Sequence, residues 1–402
     1  MLAATFGMQV AIMVAVQAVP VIAPLLTAEV GLAPETIGYL AGTTNLGTAV
    51  YLLVGGPLIL RLGPVRMLQI GAAAAVCGSL LATSGVVALL FLGALVLGLG
   101  YGPTIPAGSR ILARAVPPEH RTLIFSVKQA GTPLGGILAA TALPPVAILF
   151  GWRVALLLAA LIVLGSIAAV QPIRAGLDSD RDGGRRIGLR ALLSPSNLAG
   201  PFTALRSHSA LLPLSVLGAT FAAVQGCFTA FMVTLLTTAH GYTLPEAGIV
   251  FACLQAGGFA GRVVLAWIAD RTRAPIVVLL LMLGTAGVAG AGFAVLAGAA
   301  ALPVVALLSA VVGATGTSCA GIILAEFARL APADRLAEAT AGFSLLAFLT
   351  FFVAPAVFAF VVRLSGDWML ALLIVSAQAV VTAVLLAPRL LREARAAASS
   401  DV

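Results

Sequence analysis

Twelve apolar stretches of membrane-spanning length follow one another in this chain, and the breaks between them carry its charge in alternation. That pattern constrains the fold more than any motif. A helix needs about 20 apolar residues to cross a hydrocarbon layer about 30 Å thick. Inside that layer every backbone N–H and C=O must be paired, so helices and closed barrels are the only spanning forms. The Gly- and Ala-rich runs here are 20–29 residues long, which fits helices. Barrel strands are about ten residues long and alternate in polarity. The spans read as 4–27, 36–60, 65–84, 87–112, 122–148 and 152–172, then 209–237, 244–269, 275–297, 301–327, 337–362 and 368–388, numbered 1 to 12 in that order. With 61% hydrophobic and 9% charged residues, little of the 402-residue chain is left for a soluble domain.

The charge sets an orientation. Basic residues beside spanning segments are retained on the cytoplasmic side. All but two of the 22 basic residues can be placed on one side. Arg61 and Arg66, Arg114 and Arg121, Arg206, Arg271 and Arg273, Arg329 and Arg335, and Arg389, Arg392 and Arg395 fall in alternate breaks or the tail, while Arg153 and Arg363 fall in the others. The expected protein is a multi-pass protein of a bacterial inner membrane with both termini cytoplasmic. Residues 173–208 form the one long polar segment, read as a flexible cytoplasmic linker. It separates a six-helix bundle over 1–172 from a second over 209–402 that ends in a short tail.

Other classes fall away. The net charge of +8 sits in short membrane-flanking loops, where it sets topology and meets anionic lipid, so no nucleic-acid partner is expected. Cys77, Cys227, Cys253 and Cys319 lie inside apolar spans without pairing or metal-ligand spacing and read as packing residues. Gly98-Leu-Gly100-Tyr101-Gly102-Pro103 lacks the Lys-Ser/Thr of a phosphate loop and reads as a site of close packing and a bend. No catalytic triad, metal cluster or nucleotide site is present, so no enzyme activity and no cofactor are expected. The first span reads as an uncleaved helix.

The halves repeat. Arg114-x-x-Pro117-Pro118-Glu119-His120-Arg121 after span 4 matches Arg329-x-x-Pro332-Ala333-Asp334-Arg335 after span 10. Pro34-Glu35 opens span 2 as Pro245-Glu246 opens span 8, and Gly151-Trp152 opens span 6 as Gly366-Asp367-Trp368 opens span 12. The offset stays near 210–216 residues. Two parallel repeats leave a cavity at their interface that rocking can open to either side.

These features resemble the major facilitator superfamily over nearly the whole length. Members carry a Gly-x-x-x-Asp-Arg-x-Gly-like loop between spans 2 and 3 and a weaker copy between spans 8 and 9. Here the first reads Gly56-Pro-Leu-Ile-Leu60-Arg61-Leu-Gly63 and the second Ala266-Trp-Ile-Ala-Asp270-Arg271. In the family this loop latches the cytoplasmic side. Leu60 stands where the carboxylate is usual, so the N-terminal latch lacks it, and Ala266 replaces a glycine. Gly261-Arg262 ahead of the second loop is similar to carriers of the monocarboxylate and oxalate–formate type. Gly131-Thr-Pro133-Leu-Gly135-Gly136 resembles the family's Gly-Pro-rich antiporter motif, interrupted by Thr132.

Ionisable residues inside a membrane domain are the clues to function. Lys128, the only lysine, lies in span 5 about 10 Å below Arg121, and Arg262 lies in span 8 about 12 Å from Asp270. In the family, spans 5 and 8 face each other. Two cations at one depth with no carboxylate there would repel, and a bound anion would relieve this and draw the halves together. The bland readings are that Lys128 snorkels to the interface and that Arg262 pairs with Asp270 or Glu326. Gln17, Gln225, Gln129, Gln255, Tyr101 and Asn45 are further candidates for the substrate site, with Thr317 and Ser318 as other polar groups. Arg61, Arg110, Arg114, Asp270, Arg271, Glu326 and Arg329 are gating candidates. His120, His208 and His240 are poorly placed as proton relays.

None of the 14 acidic residues is central in a span, which favours an anion carrier over a cation–proton antiporter. The expected protein is a secondary transporter that moves a small organic anion, a mono- or dicarboxylate, by alternating access. Its expected partners are that substrate, the bilayer, and a co-transported proton or an exchanged anion, with the chain acting as a monomer. The alternatives are an exporter of hydrophobic drug-like compounds and a non-transporting membrane scaffold or sensor.

Overall fold

A computed structural model describes residues 2–115, 127–178, 200, 202–332 and 335–400. Among these, all regular structure is helical, and twelve helices are long and apolar enough to cross a membrane. His120, Arg121 and most of the expected linker lie outside the described residues. The spans run Leu2–Val30, Thr36–Val54, Pro64–Ala82, Val87–Leu112, Val127–Phe150 and Trp152–Val170, then Leu211–His240, Leu244–Thr272, Pro275–Leu296, Leu302–Leu330, Leu336–Ser365 and Trp368–Ser400. Spans 4 and 10, expected as single runs, are each interrupted. Span 2 ends at Val54, and a separate helix, Gly56–Leu62, carries the expected remainder of that span. The last helix continues through Pro388 to Ser400.

Large apolar side chains that would be costly in water face outward along these spans, among them Leu161, Leu281, Val288, Leu307 and Leu385, each more than 60% exposed. Lipid solvates such a surface; water does not. Spans 1 and 7 are the most enclosed, with 72% and 78% of their apolar cores buried, against 33% for each of spans 6 and 12. Gln17 and Gln225 therefore sit on the two most enclosed helices.

The chain divides into two compact units, Met1–Ser194 with Val233–Ala252, and Pro195–Met232 with Cys253–Val402. Local geometry repeats between them at the offset seen in the sequence. Gly151 N–H donates to the Ala147 carbonyl at 3.0 Å, and Gly366 N–H, 215 positions on, donates to the Val362 carbonyl at 2.8 Å. Span 2 crosses span 4 so closely that a side chain on Gly98 would lie 1.8 Å from the Thr44 carbonyl. Span 8 crosses span 10 identically, with Gly313 facing the Leu254 carbonyl at the same 1.8 Å. Without a hydrophobic drive between helices in lipid, such backbone approach through small residues is a principal means of packing.

The link between spans 2 and 3 turns through Gly63 at φ +92°, and the link between spans 8 and 9 turns through Arg273 at φ +51°, 210 positions later. Both copies need a left-handed residue there. The first supplies glycine, and the second holds an arginine in a conformation costly for a side-chain-bearing residue.

Two helix starts are capped as their sequences direct, those of spans 8 and 12. The Glu246 carboxylate accepts from Thr243 N–H at 2.9 Å and from its hydroxyl at 2.7 Å, a capping box at the head of span 8. Asp367 Oδ1 accepts from Met369 N–H at 2.8 Å at the head of span 12. At the head of span 6, Glu29 accepts from Trp152 Nε1 at 2.8 Å and pairs with Arg153, whose guanidinium lies 4.3 Å over the Trp152 ring.

Buried cations and the interrupted spans

Span 4 loses its α-helical form at Tyr101, makes one tight turn over Gly102–Thr104, and resumes over Pro106–Ala115. Pro103 and Pro106 have no N–H to give to the carbonyls one turn back, so the ladder fails there. The Thr104 hydroxyl takes the Tyr101 carbonyl at 2.7 Å. Span 10 stops at Gly316 and resumes at Ala320. No proline lies in that gap. The Thr317 hydroxyl bonds the Gly313 carbonyl at 2.8 Å, and the Ser318 hydroxyl bonds that of Ala314, so hydroxyls compete with the backbone for the helix's own acceptors. The two interruptions occupy corresponding positions of the repeat but arise from different residues. A bend was legible in Gly102-Pro103, whereas the break in span 10 was not.

Each candidate cation meets the break in its own unit. Lys128 Nζ donates to the Thr104 carbonyl at 2.8 Å and to Gln129 Oε1 at 3.4 Å. Lys128 is 1% exposed, so the snorkelling reading fails. Among the described residues its ammonium has no carboxylate within ion-pair distance, and both recorded acceptors are neutral. Arg262, half-buried in span 8, directs Nη2 to the Thr317 carbonyl at 3.4 Å. Glu326, 4% exposed, is held by Arg329, with Nη2 to Oε2 at 2.7 Å and Nε to Oε1 at 3.3 Å. The Glu326 carboxylate thus meets Arg329 in a bidentate pair.

Around Lys128 the first unit gathers further polar groups. Gln9 of span 1 donates to the Thr132 hydroxyl at 2.7 Å and, weakly, to Gln129 Oε1 at 3.5 Å. Its own Oε1 is buried without a hydrogen-bond partner among the described residues. Gln9 was missed because a glutamine near the start of an apolar run carries no signal until span 5 is placed beside it. Thr132, noted only as an interruption of a motif, proves to be part of this cluster.

The other candidates separate by environment. Gln17 and Gln255 are 8% and 5% exposed, and neither amide has a hydrogen-bond partner among the described residues. Gln225 and Tyr101 are half-buried. Asn45 donates to the Ala41 carbonyl of its own helix at 2.9 Å, which spends part of its amide locally. Arg61, Asp270 and Arg271 are exposed, and Arg110 is half-buried in the second segment of span 4. The side chain of Arg114 lies outside the described residues.

A carboxylate from the end of the first half sits at the head of span 3. Asp178, expected in a flexible linker, is 5% exposed, and its two oxygens accept from Val65 N–H at 2.8 Å and Arg66 N–H at 3.1 Å at the head of span 3. Arg174 Nε lies 3.4 Å from the same group. A side chain on Gly63 would sit 2.4 Å from the Asp178 carboxyl carbon, so that glycine serves the turn and also leaves room for the carboxylate. The start of the linker is therefore anchored to the first unit.

Comparison with known proteins follows the same lines. The chain is 28% identical over 228 residues to an uncharacterised MFS-type transporter of Mycobacterium tuberculosis, covering 56% of this chain and 48% of that one. It is 26% identical over 155 residues to the hexuronate transporter of Bacillus subtilis, covering 38% of this chain and 36% of that one. The match thus spans about half the length of the first relative and less of the second. Among solved structures, a variant of a POT peptide transporter aligns with a TM-score of 0.76 at 20% identity over 97% of this chain and 94% of its own. A nucleoside transporter variant aligns with a TM-score of 0.74 at 14% identity over 96% and 99%. At those identities the likeness is one of fold. The family model of the Major Facilitator Superfamily matches residues 5–328, and the chain belongs to that superfamily.

Proposed function

We propose that this transporter moves a small organic anion, a mono- or dicarboxylate, by alternating access. The observation that carries the reading is Lys128: an ammonium 1% exposed, bonded to a backbone carbonyl and an amide oxygen, with no carboxylate in range among the described residues. A buried charge of this kind calls for a counter-charge. A carboxylate substrate provides one when bound and removes it when released. Arg262 gives the second unit a guanidinium fork, which also suits a carboxylate. Gln17 and Gln255, buried amides with no hydrogen-bond partner among the described residues, are polar groups that a substrate could use in its own unit. The name of the Bacillus relative, a hexuronate transporter, supports an anionic solute. The charge bias of the loops supports an inner-membrane protein with both termini inside. A proton or a second anion is the proposed coupling species.

The test is uptake of labelled mono- and dicarboxylates into proteoliposomes. Saturable uptake is expected, with Lys128→Ala and Arg262→Ala each lowering it at least tenfold while the purified variants keep their elution profile. Uptake of lipophilic neutral or cationic compounds alone, insensitive to both substitutions, would establish the exporter instead.

A further inference from the structure

Both units contain a spanning helix whose ladder is cut within the apolar layer, and in both a cation from another helix donates to a carbonyl at the cut. The pairing is not inherited from the repeat. The breaks correspond, residues 102–105 with 317–319, but Lys128 comes from span 5 and Arg262 from span 8, which are not equivalents. A carbonyl left without a donor in a low-dielectric interior is costly. It also lies at the negative end of the helix segment before it, where a positive group is favoured. A charge-assisted donor meets both demands.

The surroundings of Lys128 are shaped for this contact. A side chain on Gly108 would come 2.8 Å from Lys128 Cε and 3.1 Å from Nζ, so the missing side chain is the channel through which the lysine reaches the break. Thr104 and Gly108 are one turn apart, and the α-helical donor to the Thr104 carbonyl would be Gly108 N–H. The lysine holds the carbonyl that a continuous helix would use. In span 10 the Thr317 and Ser318 hydroxyls occupy the carbonyls before the break, and the Thr317 carbonyl points to Arg262.

We propose that Lys128 and Arg262 are positioning residues that hold spans 4 and 10 interrupted, each capping the broken helix of its own unit, so that each span moves as two rigid segments about a fixed hinge. This role goes beyond substrate recognition and holds with no substrate present.

The test is hydrogen–deuterium exchange of the substrate-free protein in detergent, read on peptides covering 102–109 and 315–320. Lys128→Met should release the Thr104 carbonyl to Gly108 N–H, closing the helix locally and slowing exchange over 102–109 at least tenfold, with 315–320 within twofold of the native chain. Arg262→Met should do the converse. Gly108→Ala keeps the lysine charge but pushes its tip off the carbonyl, and it should reproduce the Lys128→Met result. It decides the matter if Lys128→Met does not fold. Unchanged or faster exchange at the local break, or equal slowing at both breaks from one substitution, overturns the proposal. Because no substrate is added, these outcomes are independent of whether a carboxylate is carried.

Discussion

Replacing Asp178 isolates the carboxylate at the head of span 3. The first N–H groups of a helix have no acceptor inside it. At the head of span 3 the Val65 and Arg66 N–H groups depend on Asp178, at 2.8 and 3.1 Å. Hydrogen bonds to a charged group contribute about 1.5–3 kcal/mol each, and a carboxylate at a helix N-terminus adds up to about 2 kcal/mol when partly buried. Water entering after truncation recovers part of this. Asp178→Ala is therefore expected to ease opening of this end by about 2–3 kcal/mol, roughly a 30- to 140-fold loss of amide protection. Asp178→Asn keeps the shape and one acceptor but loses the charge, and should give about half that free energy. The assay is hydrogen exchange on a peptide covering 63–68, with 276–281 in the other unit as internal reference. Protection at Val65 and Arg66 within twofold of the native value in Asp178→Ala would refute the capping argument. Equal loss at both peptides would mean general destabilisation.

Arg273→Gly should raise the midpoint of thermal unfolding in detergent, since releasing a side chain from the left-handed region is worth about 1 kcal/mol; an unchanged or lower midpoint contradicts the strain at φ +51°. Gly98→Ala and Gly313→Ala should each destabilise by about 1–3 kcal/mol or more, because each new methyl would sit 1.8 Å from a carbonyl oxygen. If one of them melts at the native temperature, the shared packing of the two repeats is refuted for that half.

Much of the architecture is legible without coordinates. Spanning length and apolarity identify the helices because each pairs its own backbone locally, and lipid permits few alternatives. The duplication is legible in short signals such as Gly151-Trp152 and Gly366-Asp367-Trp368, because turn and cap chemistry is local too. Lys128 and Arg262 stand out by rarity alone. Their partners do not, since Thr104 and Thr317 contribute carbonyls that every residue has, and only the breaks in spans 4 and 10 free them.

From the chain alone follow the membrane class, the helix boundaries to within several residues, the repeat and the two cations worth watching. Tertiary structure decided what those cations touch, that Gln9 and Thr132 join the polar cluster beside Lys128, and that Asp178 serves a helix start 113 residues away. The division has one cause. Helix formation in lipid is settled over a few turns of sequence, whereas the pairing of a buried polar group depends on which distant backbone happens to be left without a partner beside it.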